Sequence, residues 1–402
     1  MRGSSMPDIG DYTERLVLQT IRRAGTDGMS QVEVVERSGL SRQAVSVIAR
    51  RLLANGLLEV TGRSAGPRGK PKTLLQVSPR SHLAAGVHLD PWSITVTVVD
   101  MFAQPLSRVQ LPPPTADPRD DLERVHVALS TLLEELGTDQ GKGALLGVGI
   151  ASPGGIDANT GLVVSPPWMP GWRDVPVVRI LSDALGVPAV LDKDTTAALT
   201  GERWTRRLPP EEVVLYLYLG SGPGSALATG GRLHRGSHGS AGEIGHLPTG
   251  IGDDPCGCGL RGCLWLYTDV AGMLAQAREH GVVGPADEMP ATEALARLAA
   301  AADAEVGWAQ DLFHTAGEAL GGALQTLINI HDPHRVIIGG PSWHLLEPLA
   351  FPTVVEQVAR GRDLSRTPVI ESSHLGDEVG AIGAATLVLE HELDPVRRFL
   401  SP

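Results

Sequence analysis

Cysteine, lysine and long apolar runs are all scarce in this chain of 402 residues. Three cysteines cannot build the disulfide framework of a small secreted scaffold, and no apolar run approaches the roughly 18 to 20 residues that a membrane span requires. The N-terminus also lacks the apolar stretch of a signal peptide. A cytoplasmic protein with reduced thiols and no membrane partner is expected. Lysine occurs four times against thirty arginines, so a lysine within a site is a poor candidate for filler.

The three cysteines that do occur are crowded into Cys256, Cys258 and Cys263, starting ten residues after His246. Three thiolates and an imidazole are the soft donor set of a closed tetrahedral zinc site of the structural kind, and Gly257, Gly259 and Gly262 let the backbone curl around an ion. His234 and His238 compete for the fourth place, with His246 on the near side of the loop. The other explanation is a set of buried thiols or a disulfide, although Cys256 and Cys258 are too close in sequence to bridge comfortably.

A chain of this length usually forms two or three domains. Its formal charge of −12 is unevenly spread. Residues 1–80 hold thirteen Lys/Arg against seven Asp/Glu, net +6, and the remaining 322 hold twenty-one against thirty-nine, net −18. A basic head on an acidic body points to a polyanionic partner for the head.

The head, residues 1–80, reads as a winged helix-turn-helix. Asp11 with Glu14, and Ser30 with Glu33, have capping-box spacing, which predicts helices starting at both places. The first carries Leu16, Leu18 and Ile21 and stops near Gly25 to Gly28; the second runs from Gln31 to Ser38 and ends at Gly39. Ser41 caps a third that extends to Asn55, where Val45, Ile48 and Leu52 form an apolar stripe while Arg42, Gln43, Ser46 and Arg50 fall away from it. That is the requirement on a recognition helix: one face docks on its own domain and donors on the other meet base edges and phosphates. A helical hairpin that binds protein has the same apolar stripe, but two strands follow, Leu57 to Thr61 and Thr73 to Val77. The loop between them carries Arg63, Arg68, Lys70 and Lys72 and no acid. Such a loop is a wing, suited to a narrow minor groove or to phosphates alone. Double-stranded DNA is the expected partner.

Beyond Pro79, strand-like and helical runs alternate, with a second cluster of strands midway. This argues for two α/β lobes around a cleft. The expected domains are a first lobe over 81–195, completed by a C-terminal helix at about 378–391, and a second lobe over 196–377 that includes the cysteine loop.

The segment from Gly239 to Cys263 resembles the signature of the ROK family of sugar kinases and sugar-responsive repressors, with its glutamate-x-glycine-histidine run followed by cysteine-x-cysteine-glycine-x-x-glycine-cysteine. Further landmarks are Ala151 to Asp157 and Pro166 to Trp172, and the resemblance covers most of residues 84–390. It implies an actin-like, ribonuclease-H-like body, and the head is similar to that of the family's repressors. In the kinases two glycine-rich turns hold ATP. At the first, the family's aspartate-x-glycine-glycine-threonine is replaced by His88, Leu89, Asp90, Pro91 and Trp92, and the second, Gly220 to Ser225, gains Pro223. Pro91 has no N–H and Asp90 would repel phosphate, so an enzyme is not expected. The alternative is an active sugar kinase with an appended DNA-binding domain.

By the same resemblance Asp194 matches the catalytic aspartate, now vestigial, and Glu243 and His246 match sugar-binding residues. Three other sugar-contact positions depart from the family: Lys193 and Trp168 stand for asparagines and Trp265 for the final glutamate. The expected ligand site is Trp168, Lys193, Asp194, Glu243, His246 and Trp265. Two indoles and an ammonium suit a sugar carrying an anionic group; a pocket filled by the tryptophans, with Lys193 paired to Asp194 or Glu243, is the competing account. A homodimer or higher homo-oligomer is expected from the resemblance and from the two-fold logic of helix-turn-helix operators.

Overall fold

The computed structural model describes residues 12–64, 71–137, 144–284, 289–360 and 367–393. Arg68 and Lys70 of the expected wing lie outside the described residues. In the head, α1 (Tyr12–Arg23), a short strand β1 (Met29–Ser30), α2 (Gln31–Ser38) and α3 (Arg42–Ala54) precede β2 (Leu58–Ser64) and β3 (Lys72–Val77). Local chemistry fixes the helix ends. The Ser30 hydroxyl accepts from the Glu33 N–H while the Glu33 carboxylate accepts from the Ser30 N–H at 2.9 Å, a reciprocal capping box. Gly39 closes α2 in the left-handed region (φ 71°), and the Ser41 hydroxyl caps α3 by accepting from the Ala44 N–H. Asp11 of the first expected capping box lies outside the described residues; Glu14 is buried and ion-paired with Arg51 of α3. The three strands order as β1-β3-β2, so Arg63 and Lys72 sit on paired strands and not in a loop.

The body repeats one topology. Its first sheet contains β4 (His82–Asp90), β5 (Ser93–Val99) and β6 (Pro105–Leu111) as an antiparallel meander. Helix α4 (Pro118–Glu135) leads to β7 (Ala144–Ser152), a small hairpin of β8 (Ile156–Asp157) and β9 (Leu162–Val163), then α5 (Val177–Leu185) and β10 (Ala189–Lys193). Strands β7 and β10 run parallel to β4, giving the order β10-β7-β4-β5-β6. Helix α6 (Asp194–Thr205) follows β10 without a loop.

The second sheet has the same plan. Strands β11 (Val214–Leu219), β12 (Pro223–Thr229) and β13 (Arg232–Leu233) form the meander. Helices α7 (Leu264–Thr268), α8 (Val270–Glu279), α9 (Ala291–Asp303) and α10 (Gly307–His331) precede β14 (Arg335–Gly339), and α11 (Trp343–Ala359) precedes β15 (Val369–Ser372). The order is β13-β12-β11-β14-β15, with β14 and β15 parallel to β11. Two such sheets are the duplicated α/β lobes of the actin-like fold.

The final helix, α12 (Val379–Leu393), returns to the first sheet and lies on β4 and β7. It comes so close that a Cβ at Gly149 of β7 would overlap the Ala384 carbonyl oxygen. Helix α6 packs between α12 and the second sheet, so the expected lobe boundary at 195/196 falls within one buried helix. The head is joined to this assembly through a shared core. Val17, Leu18, Ile21, Val45 and Leu52 cluster with Met101, Trp204, Ile382, Leu389 and Leu393 of the body. Arg22 of α1, nearly fully buried, stacks over the Trp204 ring at 3.5 Å and donates to the Trp204 carbonyl. Burial lowers the Arg22 pKa to about 9, which leaves it charged at neutral pH and keeps the cation–π contact. Among the described residues no helix is long and apolar enough to cross a membrane.

Candidate functional site

Three regions hold the residues singled out from the sequence. On α3, Val45, Ile48, Ala49 and Leu52 are buried, so the opposite face is left to Arg42, Gln43 and Arg50, all exposed, with Ser46 half-buried. Arg50 donates through Nε to the Ser46 carbonyl, which holds its guanidinium along the helix. Arg63 is exposed on β2.

The second region is the cysteine loop. The side-chain donors of His246, Cys256, Cys258 and Cys263 all lie within 4.8 Å of one another, and His234 and His238 are not in this group. A zinc tetrahedron with Zn–S of about 2.3 Å and Zn–N of about 2.0 Å has S···S edges of about 3.8 Å and S···N edges of about 3.5 Å. The Sγ atoms of Cys258 and Cys263 are 3.7 Å apart, and Cys256 Sγ is 3.5 Å from His246 Nδ1. The donors therefore fit the ion, and 3.7 Å is far too long for a disulfide. Nδ1 being the atom turned to the thiols, Nε2 of His246 is left for other partners.

The third region is the cleft between the lobes, where β10 runs directly into α6. Lys193 is the last residue of β10 and Asp194 the first of α6, and both are buried. The ammonium of Lys193 bonds Glu243 Oε1 at 2.5 Å and the Ala241 carbonyl at 3.4 Å. The two ends of this ion pair differ: the Lys193 side chain is 5% exposed and that of Glu243 56%. Asp192, one residue earlier, is clamped by the Arg235 guanidinium at 2.6 and 2.8 Å and accepts the Lys193 N–H, which sets the direction in which the strand hands over to the helix. The loop bearing Glu243 reaches this position through Gly242, whose φ of 86° and contact with the Ser225 carbonyl leave no room for a Cβ.

Asp194 accepts the Thr195 N–H, yet burial pushes its carboxyl up to about 7, against the opposing pull of Lys193. Asp90 is its nearby like charge. Burial raises Asp90 to about 6; one oxygen accepts the Trp92 N–H and the other is buried with no hydrogen-bond partner. At the expected first phosphate turn, His88 is buried, held neutral by a pKa lowered to about 4, and hydrogen-bonded through Nε2 to the Tyr218 hydroxyl of the second lobe at 3.2 Å. Trp92 packs against the core of that second lobe.

Trp168 and Trp265 come together as a near-parallel stack, with centroids 6.2 Å apart and planes at 16°. Trp168 is in the left-handed region (φ 61°) and 68% exposed. Trp265 lies over Gly222 of the second glycine turn, where a Cβ would come within 2.6 Å of the indole. Sequence reasoning missed Arg235, Tyr218 and the Arg22–Trp204 contact. Each acts across 43 to 182 residues of chain, for which spacing gives no signal.

Two measurements test this geometry. Elemental analysis of protein purified without chelator should find about one zinc per chain, and Cys258→Ser or Cys263→Ser should lose it together with several degrees of melting temperature, because metal-binding free energy is folding free energy at such a site. Asp194 is protonated more readily folded than unfolded, so its contribution to stability falls as pH rises from the unfolded value near 4 through about 7. Asp194→Asn should therefore stabilise the protein at pH 8, by up to about 4 kcal/mol, with the gain shrinking toward pH 4, as read by urea unfolding.

The ROK family model matches residues 85–391, and a MarR family model matches residues 11–68. A putative xylose repressor of Caldicellulosiruptor sp. (strain Rt8B.4) is 26% identical over 337 residues, which cover 82% of this chain and 83% of that protein. The solved structure of a ROK family transcriptional regulator, a homologue of the E. coli MLC protein, aligns with a TM-score of 0.75 at 18% identity over 97% of this chain and 99% of that one. A ROK family glucokinase from Streptomyces griseus in complex with glucose and AMPPNP aligns with a TM-score of 0.59 at 25% identity, over 76% of this chain and 98% of that one. This chain thus belongs to the ROK family, and it carries a MarR-type winged helix ahead of the family's sugar-kinase-like body.

Proposed function

We propose that the protein is a DNA-binding transcriptional regulator of carbohydrate-related genes, a repressor controlled by a sugar or sugar derivative in the interlobe cleft. The observation that carries this reading is the outer face of α3, which presents Arg42, Gln43, Ser46 and Arg50 from a head whose apolar core is continuous with that of the body. The similarity to a protein named a repressor supports it. Arg63, exposed on β2, adds positive charge to the head. The DNA partner and the reduced thiols fit a cytoplasmic location, and a homodimer would supply two recognition helices to a two-fold operator.

Phosphoryl transfer is not part of this reading. Where the kinases grip phosphate, this chain has a proline without an N–H, a buried carboxyl on Asp90 and a histidine tied to Tyr218. Zinc held by His246, Cys256, Cys258 and Cys263 is given a structural role: it would brace the loop that presents Glu243.

In the cleft, Lys193, Asp194, Glu243, His246, Trp168 and Trp265 are read as the ligand site. A buried ammonium requires a negative partner, and the half-exposed Glu243 is one that can swing away. A ligand with its own phosphate or carboxylate would replace it, free the Glu243 loop and bear on the start of α6. The last turn of that helix carries Trp204, on which Arg22 of the head is stacked, so α6 is proposed as the route from ligand to DNA.

Arg42→Ala and Arg50→Ala should each weaken duplex binding about tenfold and flatten its salt dependence, leaving the melting temperature of the body unchanged. Equal binding by wild type and variants would overturn the assignment of α3. By calorimetry, glucose 6-phosphate or glucuronate should bind more tightly than glucose, and Lys193→Asn should abolish the difference. Equal affinities in wild type contradict the anion reading, and binding of none of the three favours a cleft filled by its own tryptophans.

A further inference from the structure

One side chain on the outer face of α3 is out of character with its neighbours. Val47 is 52% exposed, although the buried stripe of Val45, Ile48, Ala49 and Leu52 already supplies the contact of α3 with its own domain. It follows Gln43 by four residues and precedes Arg50 by three. At 3.6 residues per turn these three form one ridge on the side opposite the core. A β-branched residue loses side-chain freedom in a helix, and here about half of its surface is left to solvent.

The chemistry of the groove supplies a partner. If this ridge enters a major groove, its amide and guanidinium have acceptors and donors to meet on every base pair, but an isopropyl group has only one apolar feature to meet, the 5-methyl of thymine. We propose that Val47 is a specificity-determining residue that reads a thymine methyl between the bases addressed by Gln43 and Arg50. The proposal rests on the DNA-binding reading of the head and adds to it the identity of one base. Geometry restricts its position. Side chains four apart on a helix are about 6 Å apart at Cβ, and stacked base pairs rise about 3.4 Å, so the thymine falls within two base pairs of the base that Gln43 contacts.

The test uses the full-length protein and a duplex enriched by it from a randomised library. Each thymine is replaced singly by deoxyuridine, which removes only the methyl. In wild type, one thymine per bound head should lose about fourfold in affinity, the worth of one buried methyl group, and it should lie within two base pairs of the position whose preference Gln43→Ala relaxes. Val47→Ala should bind the thymine and deoxyuridine duplexes equally at that position, with an unchanged melting temperature and unchanged responses elsewhere. A sensitive thymine that stays sensitive in Val47→Ala, or no sensitive thymine in wild type, overturns the proposal. Failure to enrich any duplex removes the DNA-binding reading itself, and this inference with it.

Discussion

Helix α6 is buried along most of its length, from Asp194 to Trp204, between α12 and the second sheet, so its two ends cannot move independently. Twelve residues span about 18 Å. At one end stands the ion pair of Lys193 with Glu243, and at the other the indole on which Arg22 of the head is stacked. Close-packed interiors transmit displacement instead of absorbing it. Here the packing is tight enough that Gly383 of α12 leaves no space for a Cβ beside Ala197 of α6. On the proposed reading, a ligand that shifts the first turn of α6 would be felt at the head through Trp204.

The charges around that first turn are unevenly satisfied. Asp192 is matched by Arg235 and Glu243 by Lys193, whereas Asp90 and Asp194 are buried carboxyls that repel each other and favour the protonated form. A kinase would need this region open to phosphate. Here two contacts between lobes, His88 to Tyr218 and Trp92 to the second core, join the two sheets at this turn.

What could be read from the sequence was local. The caps at Ser30 and Ser41 and the stop at Gly39 fix α2 and the start of α3, because each depends on residues within a few positions of the helix end. The four metal donors could be read for the same reason, since a short glycine-rich loop brings them together. Another element was obscured by proline. Helix α11 contains Pro348 and Pro352, each of which argues against a regular helix until packing overrides it. The two tryptophans were expected at the cleft, but their stacking on each other was not, because Trp168 reaches it through a left-handed backbone conformation that composition does not reveal.

Coupling between cleft and head is the claim on which the functional reading turns, and binding linkage tests it most directly. A labelled duplex enriched by the protein is titrated by fluorescence anisotropy without and with saturating glucose 6-phosphate, and the same sugar is titrated by calorimetry into free and duplex-bound protein. The two affinities should change by one common factor of at least five, and Trp204→Ala should bring that factor toward one while both partners still bind. Affinities for DNA and sugar that are each measurable in wild type but indifferent to one another would contradict it.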